Sequence, residues 1–146
     1  HISPKSITTK TIYLKNSVGK VLLKLRGSDG SVRAYDKAGI ARLVLYGSMG
    51  IVDVNNSAGK ARLRLRGSDG SFRAYDSAGK TRLRLRGQDG TVRAYDSAGE
   101  QRVRLYGSKG RIEAYDSPGK WRVKLYGETG KISFKTLNAR RTISHP

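Results

Sequence analysis

Arginine recurs at alternate positions in two identical hexads, RLRLRG at 62–67 and 82–87, and again in QRVRLYG at 101–107. In an extended backbone successive side chains point to opposite faces, so Arg62, Arg64, Arg82, Arg84, Arg102 and Arg104 fall on one side of their strands. A planar guanidinium fork suits bidentate recognition of sulfate, carboxylate or phosphate. Tyr75, Tyr95 and Tyr115 repeat at the same twenty-residue interval, and their rings offer flat surfaces to sugars or bases. Together these nine residues form a candidate repeating site for a polyanion or acidic glycan. The plainer reading of the same residues is a solvated outer face that blocks edge association and keeps the protein soluble.

Little else is equipped for chemistry. Cysteine is absent, and the two histidines, His1 and His145, stand at the two ends. Most carboxylates recur at two phases, Asp29, Asp69 and Asp89 at one and Asp36, Asp76, Asp96 and Asp116 at the other. An aspartate ahead of Ser-Ala-Gly forms turns by accepting nearby backbone N–H groups. Calcium would need several oxygen ligands converging on the cation, whereas each turn offers a single aspartate. Glu113 and Glu128 stand alone, without the repeated carboxylate pair that glycoside hydrolysis requires. No catalytic residue, metal or cofactor is assigned, and the chain is read as non-enzymatic.

The charge balance points to partners. Thirty Lys+Arg against 11 Asp+Glu give a net charge of +19, which repels further copies and attracts nucleic acid, acidic glycans or anionic membrane surface. No apolar run approaches the ~18 residues of a membrane helix, and no signal peptide is recognised at the start. The chain opens on His1 rather than Met, which points to a fragment or processed product.

The elements that would position these residues follow from a strict repeat. From residue 11 to about 134 the sequence has a period of twenty, built of two unlike ten-residue halves such as ARLRLRGSDG and SFRAYDSAGK. The reading is six full repeats plus a half, preceded by a leader at 1–10 and followed by a basic tail or cap at 135–146. All 18 glycines fall at three phases of the repeat, as expected of backbone devices that use positive φ. Each half reads as a short strand and a turn of Asp, Ser and Gly suited to hairpins. Val32 and Ala34, then Leu43 and Leu45, face inward, while Arg33, Tyr35 and the arginines of 62–66 face outward. No window has helical periodicity, so the fold class is all-β.

Two architectures accommodate such a unit. A two-sided parallel β-solenoid would stack each arginine on its equivalent ~4.8 Å away, a repulsion of roughly 1 kcal/mol per pair even in water. An antiparallel meander would instead set Tyr-bearing strands between arginine strands, with rings beside guanidiniums. Charge and turn chemistry favour the meander, although bound anions would rescue the solenoid. A single layer would leave its Leu/Val face bare, beyond what a monomer normally exposes. Another copy, three of them in a prism with leucines inward, or a fold-back into a sandwich must cover that face.

The unit Tyr75-Asp76-Ser77-Ala78-Gly79-Lys80, followed by Arg82-Leu83-Arg84-Leu85 and Gly87, resembles the YDxxGxxRxxLxGxxG repeats of phage tail-fibre and related bacterial fibre proteins. The resemblance spans residue 11 to about 134, with Asn55-Asn56 departing from Tyr-Asp. A second resemblance, through Tyr-Asp-x-x-Gly, is to the YD repeats of bacterial toxin shells. The fibre resemblance implies a trimeric β-structured shaft or adhesin at an extracellular, virion or cell surface. Its basic face would contact acidic glycans or anionic cell envelope. A monomeric repeat lectin using avidity and a sequence-independent nucleic-acid binder are the alternatives. Trp121, in the last full unit, is read as a cap on the stack.

Overall fold

The computed structural model describes residues 10–135; the 1–9 part of the leader, the 136–146 part of the tail, His1 and His145 lie outside the described residues. The chain forms β1 (Thr11–Lys15), β2 (Val21–Arg26), β3 (Ser31–Tyr35), β4 (Ala41–Tyr46), β5 (Ile51–Asn55) and β6 (Ala61–Arg66). Then follow β7 (Ser71–Tyr75), β8 (Thr81–Arg86), β9 (Thr91–Tyr95), β10 (Gln101–Tyr106), β11 (Arg111–Tyr115), β12 (Trp121–Tyr126) and β13 (Lys131–Phe134). All thirteen lie in one open antiparallel sheet in sequence order, so the meander, not the parallel solenoid, is the architecture. Among the described residues no helix is long and apolar enough to cross a membrane.

Two kinds of hairpin alternate. At one margin Asp36 Oδ1 accepts from the amides of Ala38 and Ile40, at 2.9 and 3.0 Å; Asn56 and Asp96 do the same. Gly39, at φ +84°, completes such a turn and adopts a conformation that side chains resist. At the other margin, four-residue turns such as Gly67–Gly70 are tied by Asp69 Oδ1 accepting from Ser71 N at 3.1 Å. Successive turns there also bond to one another, as when Gly107 N donates to Gly90 O at 2.9 Å. A Cβ on Gly107 would come 2.8 Å from that oxygen. The glycines at this phase therefore serve close backbone approach rather than positive φ, which corrects the uniform reading of all eighteen.

A one-residue slip accompanies each Asp/Asn turn. Tyr75 faces Thr81 but Ala74 faces Leu83, leaving Arg82 as the extra residue. Without that bulge Arg73 would face Leu83, and the two chemistries would be mixed on each face. With it, one face carries two unbroken apolar rows; Leu65–Phe72–Leu85–Val92 and Leu63–Ala74–Leu83–Ala94 are their central stretches.

Solvent reaches the two faces in the opposite sense from the inward–outward expectation. Leu43 and Leu65 are 44% and 51% exposed, whereas Val44, on the basic face, is 4% exposed. The cause is the single layer. None of the described residues lies over the leucines, while long Arg and Tyr side chains lie down over their shorter neighbours. Ser71, between Arg66 and Arg86, is accordingly buried.

Candidate functional site

Cross-strand pairing assembles a central row along the basic face. It runs Tyr13, Lys24, Arg33, Val44, Asp53, Arg64, Arg73, Arg84, Arg93, Arg104, Glu113, Lys124 and Ser133. Arg64, Arg73, Arg84, Arg93 and Arg104 are consecutive members. Directly opposed residues have Cβ atoms ~4.5–5.5 Å apart, and two unit charges held there repel by roughly 1 kcal/mol per pair in water. Tyr-bearing β7 and β9 do stand between arginine strands, as expected of the meander, but they do not hold the guanidiniums apart. The intervening strands bring arginines of their own, Arg73 and Arg93, into the row.

An acid bounds the arginine run at each end. Asp53, almost fully buried, accepts from Arg64 Nε and Nη2 at 2.7 Å each. Glu113, equally buried, accepts from the Tyr115 hydroxyl and lies 3.2 Å from Arg111 Nε and 3.4 Å from Lys124 Nζ. Burial pushes the Glu113 carboxyl pKa up, but the Tyr115 bond and the two cations together hold it below the usual value. Burial and that same bond push the Tyr115 phenol up to about 12. Between these ends, Arg73, Arg84 and Arg93 have no ion pair among the described residues, and their Nε atoms are shielded from solvent without an acceptor.

The nine residues expected to form the site divide accordingly. Arg82 and Arg102, each the extra residue of a bulge, are held by the turn aspartates Asp76 (2.9 Å) and Asp96. In each turn one carboxylate oxygen closes the loop and the other takes the arginine. Arg62 lacks that partner because Asn56 stands in the aspartate's place. Arg64 is neutralised by Asp53, while Arg104 lies 3.9 Å from the Tyr106 ring centroid. Of the six arginines, Arg84 alone combines a row position with the lack of an ion pair or ring-over-cation contact among the described residues. Arg64 and Tyr75 line one hollow and Arg84 and Tyr95 another; Tyr115 is instead bound to Glu113.

No ring-over-cation contact involves Tyr75, Tyr95 or Tyr115 among the described residues; Tyr13, Tyr106 and Trp121 fill that role. Trp121 lies 4.6 Å from Lys124 Nζ and 5.7 Å from Lys135 Nζ. Sequence reasoning missed Arg73, Arg93, Asp53 and Glu113. A signal for the acids was present, since each replaces the arginine that the repeat carries at 33, 73 and 93. No protein-family model matches the chain, and a search of curated proteins finds no match.

Proposed function

We propose that this chain is a non-enzymatic fibre or adhesin segment of a cell or virion surface, whose basic face holds acidic glycans or other envelope polyanions. The observation that carries this reading is the unbroken row Arg64–Arg73–Arg84–Arg93–Arg104. Its three central members form no ion pair among the described residues. An extended anionic chain laid across the strands would relieve several like-charge contacts at once, which a merely solvating face would not require. In the same reading, three copies pack their apolar faces around one axis. Each apolar face is only two residues wide, so three can meet without leaving a wide central void. The arginines then remain outside, where a glycan reaches them.

Titrating the chain with heparin at graded salt tests the function. A ligand that neutralises three arginines should lose about 20- to 40-fold in affinity between roughly 50 and 200 mM salt. An affinity that is flat across that range would exclude the polyanion reading and favour a neutral-sugar lectin.

A further inference from the structure

The basic face carries two hollows built from equivalent residues, and the cross-strand neighbour of their arginine differs in charge. The first, of about 470 Å³, is lined by Lys60, Arg64, Tyr75 and the Ala78–Gly79 turn. The second, of about 450 Å³, has the residues twenty positions on, Lys80, Arg84, Tyr95 and Ala98–Gly99, with Arg73 added. Position 73 is itself the twenty-residue equivalent of position 53. Beside the first hollow, behind its lining, Asp53 therefore holds the cross-strand neighbour's place and neutralises Arg64 through two bonds of 2.7 Å. In the second that place is filled by Arg73, directly opposite Arg84.

Size is thus nearly equal, while the residue opposite the hollow's arginine is reversed in charge. The second hollow gathers three cations and no carboxylate in its lining. Lys80 Nζ donates to the Ser97 carbonyl at 3.1 Å, which ties the ammonium to the neighbouring turn. Arg73 Nε and Arg84 Nε are shielded from solvent and have no acceptor among the described residues. Burial, then the charges of Arg73, Arg86 and Arg93, push the Arg84 pKa down, the response of a cation crowded by its own kind.

The other units do not reproduce this constellation. The next has Glu100 for the lysine and Pro118 for the alanine, and the one before the first hollow has Ile40, Val44 and Asn55. The earliest keeps Lys20, Lys24 and Tyr35 but has Tyr13 where Arg73 stands.

We propose that the hollow framed by Arg73, Lys80, Arg84 and Tyr95 is the principal anion site of the chain. It takes one sulfate or carboxylate group of an acidic glycan with a sugar ring against Tyr95, and Asp53 keeps its twin closed to anions. This inference rests on the polyanion reading above and adds the place and the register. Tyr75 and Tyr95 stand two strands apart, about 10 Å at the usual strand spacing. Stacked bases follow one another at about 3.4 Å, so the two rings cannot serve as successive platforms for them. The separation instead suits alternate units of an extended glycan.

Calorimetric titration of the whole chain at about 150 mM salt, with a sulfated heparin-type hexasaccharide and a thymidine hexanucleotide, tests this. Arg73→Asp gives the second hollow the charge of the first, and Arg73→Gln removes the charge alone. Lys15→Asp makes the same charge change at an exposed position on β1, and Asp53→Asn frees Arg64. The hexasaccharide should lose at least about tenfold in affinity on Arg73→Asp, with a smaller loss on Arg73→Gln. Lys15→Asp should cost no more than about twofold in screened solution. Asp53→Asn should raise the stoichiometry from one to two per chain. If Arg73→Asp and Lys15→Asp weaken binding equally, the site assignment fails while the polyanion reading stands. If the unaltered chain binds neither probe even at low salt, the polyanion reading itself fails. Tighter binding of the oligonucleotide than of the hexasaccharide would overturn the glycan assignment in favour of nucleic acid.

Discussion

At the residue scale, the turn aspartates combine two roles in one carboxylate. Asp76 accepts the Lys80 amide at 2.9 Å through Oδ1 and holds Arg82 through Oδ2. The Lys80 amide leads the effects that lower its pKa from 3.8, with Arg82 adding to it; Asp36 behaves alike, led by the Ile40 amide. A carboxyl whose folded pKa is depressed contributes stability above its unfolded pKa and loses it as pH falls through the folded value. Melting temperature should therefore drop as pH falls below about 4. Replacing Asp36, Asp76 and Asp96 by Asn keeps the turn acceptor, as Asn16 and Asn56 already do, and should flatten that acid limb. Thermal melts from pH 6 to pH 2 would check this, and an unchanged acid limb would remove these carboxylates from the account. The turn role of the aspartates was readable from Asp-Ser-Ala-Gly itself. Their second role was not, because it depends on a bulge that carries the arginine six residues later back to the turn.

At the element scale, the alternation of leucine with arginine located the strands, and the glycine phases located the turns. Register was harder to read. It depends on a four-residue turn at one margin and a longer turn with a one-residue slip at the other, and only the slip sets Arg73 opposite Arg84. The glycines of the four-residue turns test how tightly that margin is built. A Cβ would meet the preceding turn's carbonyl oxygen at 2.5 Å from Gly47, 2.8 Å from Gly107 and 3.3 Å from Gly67. Alanine should therefore cost most at Gly47, less at Gly107 and least at Gly67. At Gly107 the loss of the amide–carbonyl bond sets the scale at about 1–3 kcal/mol. Gly79→Ala, where nothing crowds the Cβ but φ is +84°, should cost about 1–2 kcal/mol from backbone strain alone. Urea unfolding of the four variants measures the order, and equal costs at Gly47 and Gly67 would contradict the close-approach argument.

At the scale of the whole molecule, the sheet has chemically opposite faces. The apolar face runs from Ile12 and Leu14 to Ile132 and Phe134 with no polar side chain in its two rows. It is about 58 Å long at the usual strand spacing, well beyond the patch a monomer normally exposes. Sedimentation of the whole chain should give three times the 16.0 kDa chain mass. Leu43→Glu, Leu65→Glu and Leu85→Glu together should return it to single chains, and a stable 16.0 kDa species before mutation would exclude the assembly. The need for cover was legible from the sequence, since one layer cannot bury its own face. The number of copies was not, because the repeat is the same whatever it packs against. The extensive contacts within the chain link only strands that follow one another in sequence. Cohesion is thus a sum over nearest neighbours, as in a one-dimensional array. Damage to one hairpin passes to the next and fades, because the described residues form no central core through which distant strands share it. A chain joined in this way loosens strand by strand rather than all at once, and its length can be altered by whole units of twenty residues. The binding register would shift with each unit added or removed, while the sheet itself would stay intact.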